Sequence, residues 1–470
     1  MESKRELKDM WDAMLKGCDT YVMCSTLNQI VNYLPLKKIA GMHDRKNFCI
    51  RNITYKDGES SDKDLKPRFS NKEWDENIRA VAGKYISGVT INPNDNIYLN
   101  RNFNLESYLD TLERAICESK SKFFLWNLTG GQRNVLFAVQ HFIELDCEKG
   151  SRKHMIFYLE GNTQRIIVGC YDGGHWDYAE MNDVYEDSQL TISQVFALAG
   201  FDATAGEEYF FDTEKWKVKG NIQQSGKNSN AVDHHKKIED RNEAYTHFFQ
   251  IYKENEKDLI SKMVQTNCVE RGKQWSRLEE IIDGITALDN NYKACIKNSL
   301  NHEGSMPFGY FLEYMTQAVL LDEIKNGKWE TYGNRFQSLS FNVSIKNKNK
   351  KDAFCQLDLV LLLKSGQIVC FECKSGSMES DNGKAREYTA YVLGGVYGKP
   401  VLITPLRKSD FCCDAQKLEY KNIIRAINAA NRAGLEICWL DCLAEGIKKI
   451  FEPLFGVCKA VGGGKNEQYK

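Results

Sequence analysis

The chain has 470 residues, of which 42% are hydrophobic and 27% charged, and its formal net charge is −1. A chain of this length is expected to divide into two or three domains, and its near-neutral charge excludes a uniformly basic nucleic-acid-binding protein. No apolar run approaches the ~18 residues that would cross a bilayer, and the N-terminal residues lack the apolar core of a secretory signal, so we expect a cytoplasmic protein.

Strand-like and helix-like segments alternate along the chain. Apolar runs such as "TYVMCS", "KFFLWNL", "KHMIFYLE" and "RIIVGCY" alternate with helical patterns, which predicts an α/β domain with a parallel sheet over residues 1–180. Residues 181–300 contain short helical segments and a polar stretch near 215–240, so we expect a helical connector with a long loop. A second α/β domain is predicted at 301–455, followed by a glycine-rich, flexible tail at 456–470.

The cysteines and histidines do not suggest disulfides or a zinc site. Sixteen cysteines are scattered through apolar segments, which favours free thiols. Cys370 and Cys373 form the single CxxC, but they lie in a predicted strand whose two-residue period points them to opposite faces. His234 and His235 lie in the polar, loop-like stretch with no cysteine pair beside them.

Three charged residues lie within the two apolar runs of "QLDLVLLLKSGQIVCFECKSG", at Asp358, Glu372 and Lys374. The runs predict a β-hairpin that turns around Gly366. Because side chains alternate between the faces of a strand, the number of loop residues decides whether these charges share a face. We predict a bulged or odd-length loop of three or five residues, which would bring them together.

A cation would explain this cluster. Two carboxylates in a half-buried sheet are costly unless a positive charge neutralises them. Mg²⁺ or Mn²⁺ suits such oxygen ligands, lowers the pKa of bound water and stabilises charge that builds on a phosphate. The ammonium of Lys374 would then orient the attacking water or neutralise the transition state. The alternative is an ion-paired strand edge, in which Lys374 simply neutralises Glu372.

The spacing of Asp358 and Glu372-Cys-Lys374 resembles the signature of PD-(D/E)xK nucleases. The segment "FGYFLEYMTQAVL" resembles the first core helix of that restriction-endonuclease-like α/β fold, whose glutamate, here Glu313, would complete the metal site. Gln356 stands where related nucleases usually have a glutamate. That departure puts the metal affinity or preference in question.

Basic and aromatic residues near this signature could contact a phosphate backbone. Lys348 and Lys350 belong to "IKNKNKKDAF", which we expect to form a loop leading into the site. Lys384 and Tyr388 lie one turn apart on the helix predicted after the hairpin. A solvated loop and a solvated helix face are the alternatives for the two pairs.

A second constellation lies in "KFFLWNLTGGQRNVLFAVQHF". An apolar strand ends at Asn127, Gly130 and Gly131 permit a tight turn, and a helix is predicted to begin near Gln132. A helix that begins behind glycines presents free backbone N–H groups to an anion. The segment lacks the GxGxxG spacing and the Walker lysine, which disfavours dinucleotide and ATP binding.

This stretch resembles the Asn-x-Thr-Gly-Gly segment of the CRISPR-associated Rossmann fold (CARF) sensor domains, in which the first strand also leads into a Ser or Thr. Such a sensor joined to a PD-(D/E)xK domain is the architecture of the cyclic-oligoadenylate-activated effector nucleases of type III CRISPR systems. The resemblance implies a homodimer that shares a pocket for cyclic tetra-adenylate. The residues it implies for ligand contact are Ser25, Thr26, Asn127, Thr129, Gly130, Gly131, Gln132 and Arg133.

The resemblance also implies a metal-dependent nuclease, with Mn²⁺ or Mg²⁺ as cofactor, that cuts single-stranded nucleic acid or nicks DNA with little sequence preference. Two alternatives stay open. One is a DNA repair or restriction nuclease that needs no messenger. The other is a non-catalytic nucleotide sensor whose nuclease domain has decayed at Gln356. The sequence leaves open the choice between DNA and RNA, and the ring size of the activator.

Overall fold

The structure of the protein is a computed structural model, and the statements below refer to the residues that it describes. No helix among them is long and apolar enough to cross a membrane. The described residues are 2–42, 48–55, 71–150, 152–160, 165–182, 189–211, 217–220, 231–255, 273–300, 307–325, 335–348, 353–375, 380–394, 398–408, 411, 421–439 and 442–454.

A seven-stranded sheet forms the first α/β unit. Its strands are β1 Thr20–Cys24, β2 Cys49–Tyr55, β3 Ile97–Leu99, β4 Phe123–Asn127, β5 Lys153–Glu160, β6 Arg165–Asp172 and β7 His175–Asn182. Their order is β3-β2-β1-β4-β5-β6-β7. The expected parallel sheet is confirmed for β1 to β5, but β6 and β7 pair antiparallel. Four residues separate β5 from β6, too few for the crossover that a parallel pair requires.

α1 Glu2–Gly17 precedes the first sheet, and four further helices connect its parallel strands. They are α2 Ile30–Met42, α3 Asn71–Tyr85, α4 Leu105–Cys117 and α5 Arg133–Glu148. The chain passes from β1 to β2 on one side, while β4 lies on the other side of β1. The loops after β1 and β4 therefore diverge, and this topological switch point leaves a crevice at the carboxyl ends of the strands.

The second α/β unit also has a seven-stranded sheet. Its strands are β8 Phe201–Phe210, β9 Lys217–Gly220, β10 Phe336–Asn347, β11 Ala353–Leu363, β12 Ile368–Cys373, β13 Lys399–Thr404 and β14 Glu436–Trp439, in the order β14-β13-β12-β11-β10-β8-β9. Strands β12 to β14 are parallel and the others antiparallel. The remaining helices are α6 Ile192–Leu198, α7 Ala231–Asn255, α8 Gln274–Asp283, α9 Asn290–Leu300, α10 Pro307–Lys325, α11 Ser380–Gly394, α12 Lys421–Arg432 and α13 Leu443–Leu454.

The segment expected to be a helical connector contains strands as well as helices. β8 and β9 lie at the edge of the second sheet, so the expectation of helices alone was wrong there. The polar strand β8 is stabilised by distant pairing, because Arg241 of α7 donates to both oxygens of Glu207, at 2.9 and 2.7 Å. His234 and His235, expected in a loop, lie in α7. The polar loop expected near 215–240 is likewise wrong where the chain is described, since 217–220 form β9 and 231–240 belong to α7; residues 221–230 and the whole expected tail lie outside the described residues.

The two units share one hydrophobic core. Ile30 and Leu34 of α2 belong to the same buried cluster as Val360 of β11, Ile368 of β12 and Leu393 of α11. The face of the second sheet that carries these residues therefore packs against the first unit. The cysteines that the structure describes are free thiols, as expected.

Candidate functional site

The hairpin between β11 and β12 turns through the three residues 364–366. Leu362 pairs with Ile368, and the N–H of Leu363 donates to the carbonyl of Gln367 at 2.9 Å. Gly366 closes the loop at a φ of +82°, a conformation that glycine adopts without a steric penalty. The predicted odd-length loop is confirmed.

This loop length brings the three charged side chains of the hairpin together. Lys374 Nζ lies 2.6 Å from Glu372 Oε1. Asp358 accepts the backbone N–H of Cys373 at 2.7 Å, at the point where β11 and β12 diverge. Glu372 is only 4% exposed, whereas a third of the Lys374 side chain is open to solvent. The cluster thus has a buried acidic side and an accessible basic tip.

Burial and mutual repulsion govern the protonation of this cluster. Burial, and next the charge of Glu372, raise the pKa of Asp358 to about 7, against the opposing charge of Lys374. Burial by itself lowers the pKa of Lys374, but the two carboxylates outweigh it and raise that pKa. The repulsion between Asp358 and Glu372 therefore persists despite the ammonium of Lys374.

Arg386 of α11 is a member of this cluster that the sequence analysis missed. Its Nε lies 3.0 Å from Glu372 Oε2, and its Nη2 donates to Glu372 Oε1 at 3.1 Å. Its Nη1 donates to the backbone carbonyl of Gln356 at 3.0 Å. The guanidinium thus bridges β11 and β12 beyond their last paired residues. The exposed side chain of Gln356 donates to Asn342 at 2.6 Å and adds no charge.

Glu313 lies on α10, as the predicted first core helix requires. Its charge is among the causes that raise the pKa of Cys373, after burial and Asp358. Cys373 also lies 3.7 Å from the hydroxyl of Thr316, one turn further along the helix. Glu313 therefore lies on the side of β12 to which Cys373 points, whereas Glu372, the preceding residue of the strand, points to the opposite face. In the described part of the chain, no group of three or more His, Cys, Asp or Glu side chains is arranged around a common metal position.

The residues expected to contact nucleic acid are spread apart. Lys348 is exposed, and its Nζ donates to Asn77 at 3.3 Å and to the carbonyl of Ala197 at 3.4 Å. Partial desolvation of the ammonium lowers its pKa. A contact of Lys348 with nucleic acid stays a prediction, and its ammonium also bonds to the first unit. Lys384 is exposed on α11, which also carries Tyr388, while Lys350 lies outside the described residues.

A cavity of about 250 Å³ lies at the switch point of the first sheet. The loops after β1 and β4 form most of it, and α3 and the end of β2 contribute the rest. Of the eight residues expected to contact a ligand, five line the cavity. The lining residues are Cys24, Ser25, Thr26, Leu27, Ile53, Tyr55, Asn71, Trp74, Gly130, Gly131, Gln132 and Val135.

Both glycines are required by the close approach of the two loops. A Cβ at Gly130 would lie 2.7 Å from the side chain of Thr26 and 3.0 Å from the carbonyl oxygen of Cys24. A Cβ at Gly131 would lie 2.7 Å from Leu136 and 3.1 Å from the Cys24 sulfur. Larger residues at these positions would push the loops apart and change the shape of the cavity.

Three expected ligand contacts do not line the cavity. Asn127 is fully buried, and its amide nitrogen lies 2.8 to 3.0 Å from acceptors in β1 and α2. The hydroxyl of Thr129 accepts the N–H of Leu159 at 2.9 Å. Arg133 is exposed at the start of α5. The side chains of Asn127 and Thr129 therefore point into the protein. Their hydrogen bonds hold the loop after β4 in position without contacting the cavity.

Tyr55 and Trp74 are pocket residues that the sequence analysis missed. Tyr55 ends β2, and its hydroxyl donates to Gln132 Oε1 at 2.9 Å. This bond leaves the amide nitrogen of Gln132 available as a donor. Neither β2 nor α3 was recognised in the sequence. The signal that could have found Tyr55 is its position at the end of the strand-like run "FCIRNITY".

Comparisons with known proteins support this architecture. No protein-family model and no curated protein matches the sequence. Protein VC1899 from Vibrio cholerae is similar in structure, with a TM-score of 0.53 and 13% identity over 93% of this chain and 99% of that chain. Can2 from Sulfobacillus thermosulfidooxidans, in complex with cyclic tetra-adenylate, has a TM-score of 0.47 and 14% sequence identity to this chain. The match covers 93% of this chain and 98% of that chain.

A type III CRISPR defence DNA nuclease activated by cyclic oligoadenylate gives a TM-score of 0.41 and 11% identity, over 82% of this chain and 45% of that chain. The likeness to VC1899 shows that this chain has the same two-unit α/β fold along nearly its whole length. The predicted architecture, a Rossmann-like unit followed by a second α/β unit, is confirmed at the level of the fold.

Proposed function

We propose that this protein is a metal-dependent nuclease, activated by a cyclic oligoadenylate, that acts in the cytoplasm in type III CRISPR defence. The observation that carries the proposal is the convergence of Asp358, Glu372 and Lys374 on one hairpin. The spacing of these residues resembles the PD-(D/E)xK signature. The cavity formed by the Ser25 and Gly130 loops supplies a separate place for a regulatory ligand.

Asp358 and Glu372 would hold Mn²⁺ or Mg²⁺, and Glu313 would supply a further oxygen. Two observations support the fit. Glu372 Oε2 is buried and, among the described residues, accepts no hydrogen bond, although Arg386 Nε lies 3.0 Å away. The charge of Glu372 also helps to raise the pKa of Asp358, a repulsion that a cation would relieve.

The side chains around the acidic pair fit roles in phosphodiester hydrolysis. When bound, the metal would lower the pKa of a water ligand and stabilise charge on the phosphate. Lys374 would hold the attacking water or the scissile phosphate with its exposed ammonium. Arg386 would keep the Glu372 carboxylate oriented. The neutral amide of Gln356 gives this site one charge fewer than the related signature.

The substrate would be single-stranded nucleic acid, or duplex DNA that is nicked, with little sequence preference. Lys384 is exposed on α11, and together with Tyr388 and Lys350 it remains a candidate for backbone contact. The hydrogen bonds of Lys348 to the first unit argue against the same role there. A net charge of −1 fits local contacts better than a broad basic surface.

The activator would be cyclic tetra-adenylate, as the motif resemblance implies. Ser25, Thr26 and the backbone at Gly130 and Gly131 would bind phosphate or ribose, and the free amide nitrogen of Gln132 suits an acceptor on adenine. The cavity of about 250 Å³ falls below the range of about 300 to 1,000 Å³ that is usual for ligand pockets. A ring of four nucleotides therefore needs a second protomer, and its two-fold axis can coincide with that of a homodimer.

A matrix of cleavage assays tests the proposal. Labelled single-stranded DNA, single-stranded RNA and supercoiled plasmid are incubated with Mn²⁺ or Mg²⁺, with and without cyclic tetra- or hexa-adenylate. We expect cleavage that needs both a metal and a ring. In Gly131→Val the ring should no longer stimulate cleavage. Unchanged cleavage in that variant, with or without the ring, would instead identify a messenger-independent nuclease.

The contacts of Glu372 favour a second candidate, a non-catalytic sensor. Both Lys374 and Arg386 pair with this carboxylate, so the cluster can also be a closed ion-pair network that ties the hairpin to α11. Binding of the ring without cleavage under any metal condition would support that candidate.

A further inference from the structure

We propose that Trp74 is a ligand-binding residue of the cavity at the switch point of the first sheet, and that its indole N–H donates to a phosphate oxygen of the ligand. This inference rests on the proposed function and extends it to a helix, α3, that none of the recognised motifs includes. Two residues of the first turn of α3, Asn71 and Trp74, line the cavity opposite the Gly130 loop.

The indole N–H of Trp74 has no acceptor in the protein as described. Its Nε1 atom is buried and makes no hydrogen bond. An indole nitrogen is a donor only, and a buried donor without a partner is unfavourable. Because this indole lines an otherwise open cavity, an acceptor on the ligand is the natural partner.

The surroundings favour an anionic acceptor. Ser25 also lines the cavity, and its hydroxyl interacts with the carboxyl of Asp75. The first turn of a helix is electropositive, and both α3 and α5 begin at the cavity. A phosphate oxygen between these two helix starts would accept the indole N–H of Trp74.

The neighbour of Trp74 holds the indole in place. Asp75 is only 6% exposed and lies close to Ser25, Asn52 and Thr54. Burial raises the pKa of its carboxyl, which these three neighbours partly oppose. The first turn of α3 is therefore anchored in the protein, and Trp74 is presented to the ligand at little cost in conformational entropy.

The chain offers a matched control at Trp11. Its Nε1 is also buried without a hydrogen bond, but its fully buried ring packs against Phe157 in the core and does not line the cavity. Replacing either tryptophan by phenylalanine keeps an aromatic ring and removes the N–H. The two variants thus differ mainly in whether the altered tryptophan lines the cavity.

Calorimetric titration of the full-length wild-type, Trp74→Phe and Trp11→Phe proteins with cyclic tetra-adenylate tests the inference. We expect Trp74→Phe to lose about tenfold to a hundredfold in affinity, the usual weight of a hydrogen bond to a charged group, and Trp11→Phe to bind as the wild type. Wild-type affinity in Trp74→Phe would overturn the inference and leave the proposed function intact. A wild-type protein that binds no cyclic oligoadenylate would contradict both.

A second measurement covers the case in which Trp74→Phe folds poorly. The wild-type protein is oxidised mildly with N-bromosuccinimide, with and without cyclic tetra-adenylate, and the modified tryptophans are located by peptide mass spectrometry. Trp74 is half-buried and should react, and the ligand should protect it. Oxidation of Trp74 that the bound ligand leaves unchanged would overturn the inference.

Discussion

Ile30, the first residue of α2, lies directly against Gly366 at the tip of the hairpin that carries the acidic pair. A methyl group at Gly366 would collide with the Ile30 side chain. Ile30 also follows the loop that lines the sensor cavity, and Asn32 of the same helix donates to the carbonyl of Cys24 at 2.8 Å. The contact of Ile30 with Gly366 therefore connects the helix that follows the cavity loop to the hairpin that carries the acidic pair.

Gly366→Ala should destabilise the protein by about 2 to 5 kcal/mol, since a positive φ costs about 1 to 2 kcal/mol and overpacking a further ~1 to 3 kcal/mol. Gly174→Ala is the control, because Gly174 has a φ of +87° against +82° for Gly366, but nothing lies within 4 Å of its added Cβ. Chemical unfolding of both variants measures the difference. Equal losses would show that Ile30 does not restrict the hairpin tip.

Ile30→Ala should separate sensing from cleavage. The Ile30 side chain is buried against the hairpin and is absent from the lining of the cavity, so we expect the affinity for cyclic tetra-adenylate to stay within about threefold. Stimulation of cleavage by the ring should fall by about tenfold or more, a coupling of ~1.4 kcal/mol. Affinity and stimulation falling in parallel would show instead that Ile30 supports the cavity alone.

Arg386→Ala should destabilise the metal-free protein by about 1.5 to 3 kcal/mol, because Glu372 loses a charge-assisted partner and β11 loses its link to α11. Glu387→Ala, an exposed neighbour on the same helix, should have little effect. Thermal unfolding in chelator provides the comparison. Saturating Mn²⁺ should reduce the difference in unfolding temperature between Arg386→Ala and the wild type. A difference in unfolding temperature that Mn²⁺ does not change would count against metal binding at Glu372.

The buried pair of Glu207 and Arg241 should make the protein sensitive to acid. Burial raises the pKa of Glu207, but Arg241 outweighs it and holds that pKa below its usual value. The stabilisation is complete above the unfolded pKa of about 4.3 and is lost as the pH falls towards the lower folded value. Unfolding followed in urea between pH 7 and pH 3 should show this loss.

Replacing Arg241 reverses that pH dependence. Arg241→Met should cost about 3 to 5 kcal/mol at pH 7, because it leaves a buried carboxylate without its partner, and part of that loss should be recovered as Glu207 becomes protonated. Arg277→Ala removes an exposed ion pair with Glu280 and should cost at most about 1 kcal/mol. Equal losses in the two variants would contradict a structural role for the buried pair.

Features of the site that depend on neighbouring residues could be predicted from the sequence. The three-residue hairpin loop and the meeting of Asp358, Glu372 and Lys374 follow from strand alternation, a local rule. The glycines after β4 likewise signalled the close approach of two loops.

Features that depend on packing between distant segments could not be predicted from the sequence. Arg386 reaches Glu372 from another helix. β8 is a strand because it pairs with the distant strand β10, and the ion pair of Glu207 with Arg241 adds a contact to α7. Lys348 was expected to be free, since only the packing of the second unit against the first brings it to Asn77. In each case the contact joins residues that are distant in the sequence, so the local sequence pattern does not identify the partner.

The role of Glu372 can be measured through ring-stimulated cleavage. Single-stranded DNA and RNA are incubated with Mn²⁺ and cyclic tetra-adenylate, using wild type, Glu372→Gln and the exposed control Glu387→Gln. We expect Glu372→Gln to bind the ring normally but to cleave at least about a hundredfold more slowly, because a metal ligand is lost, while Glu387→Gln cleaves like the wild type. Cleavage by Glu372→Gln at the wild-type rate would show that this hairpin is not the nuclease site.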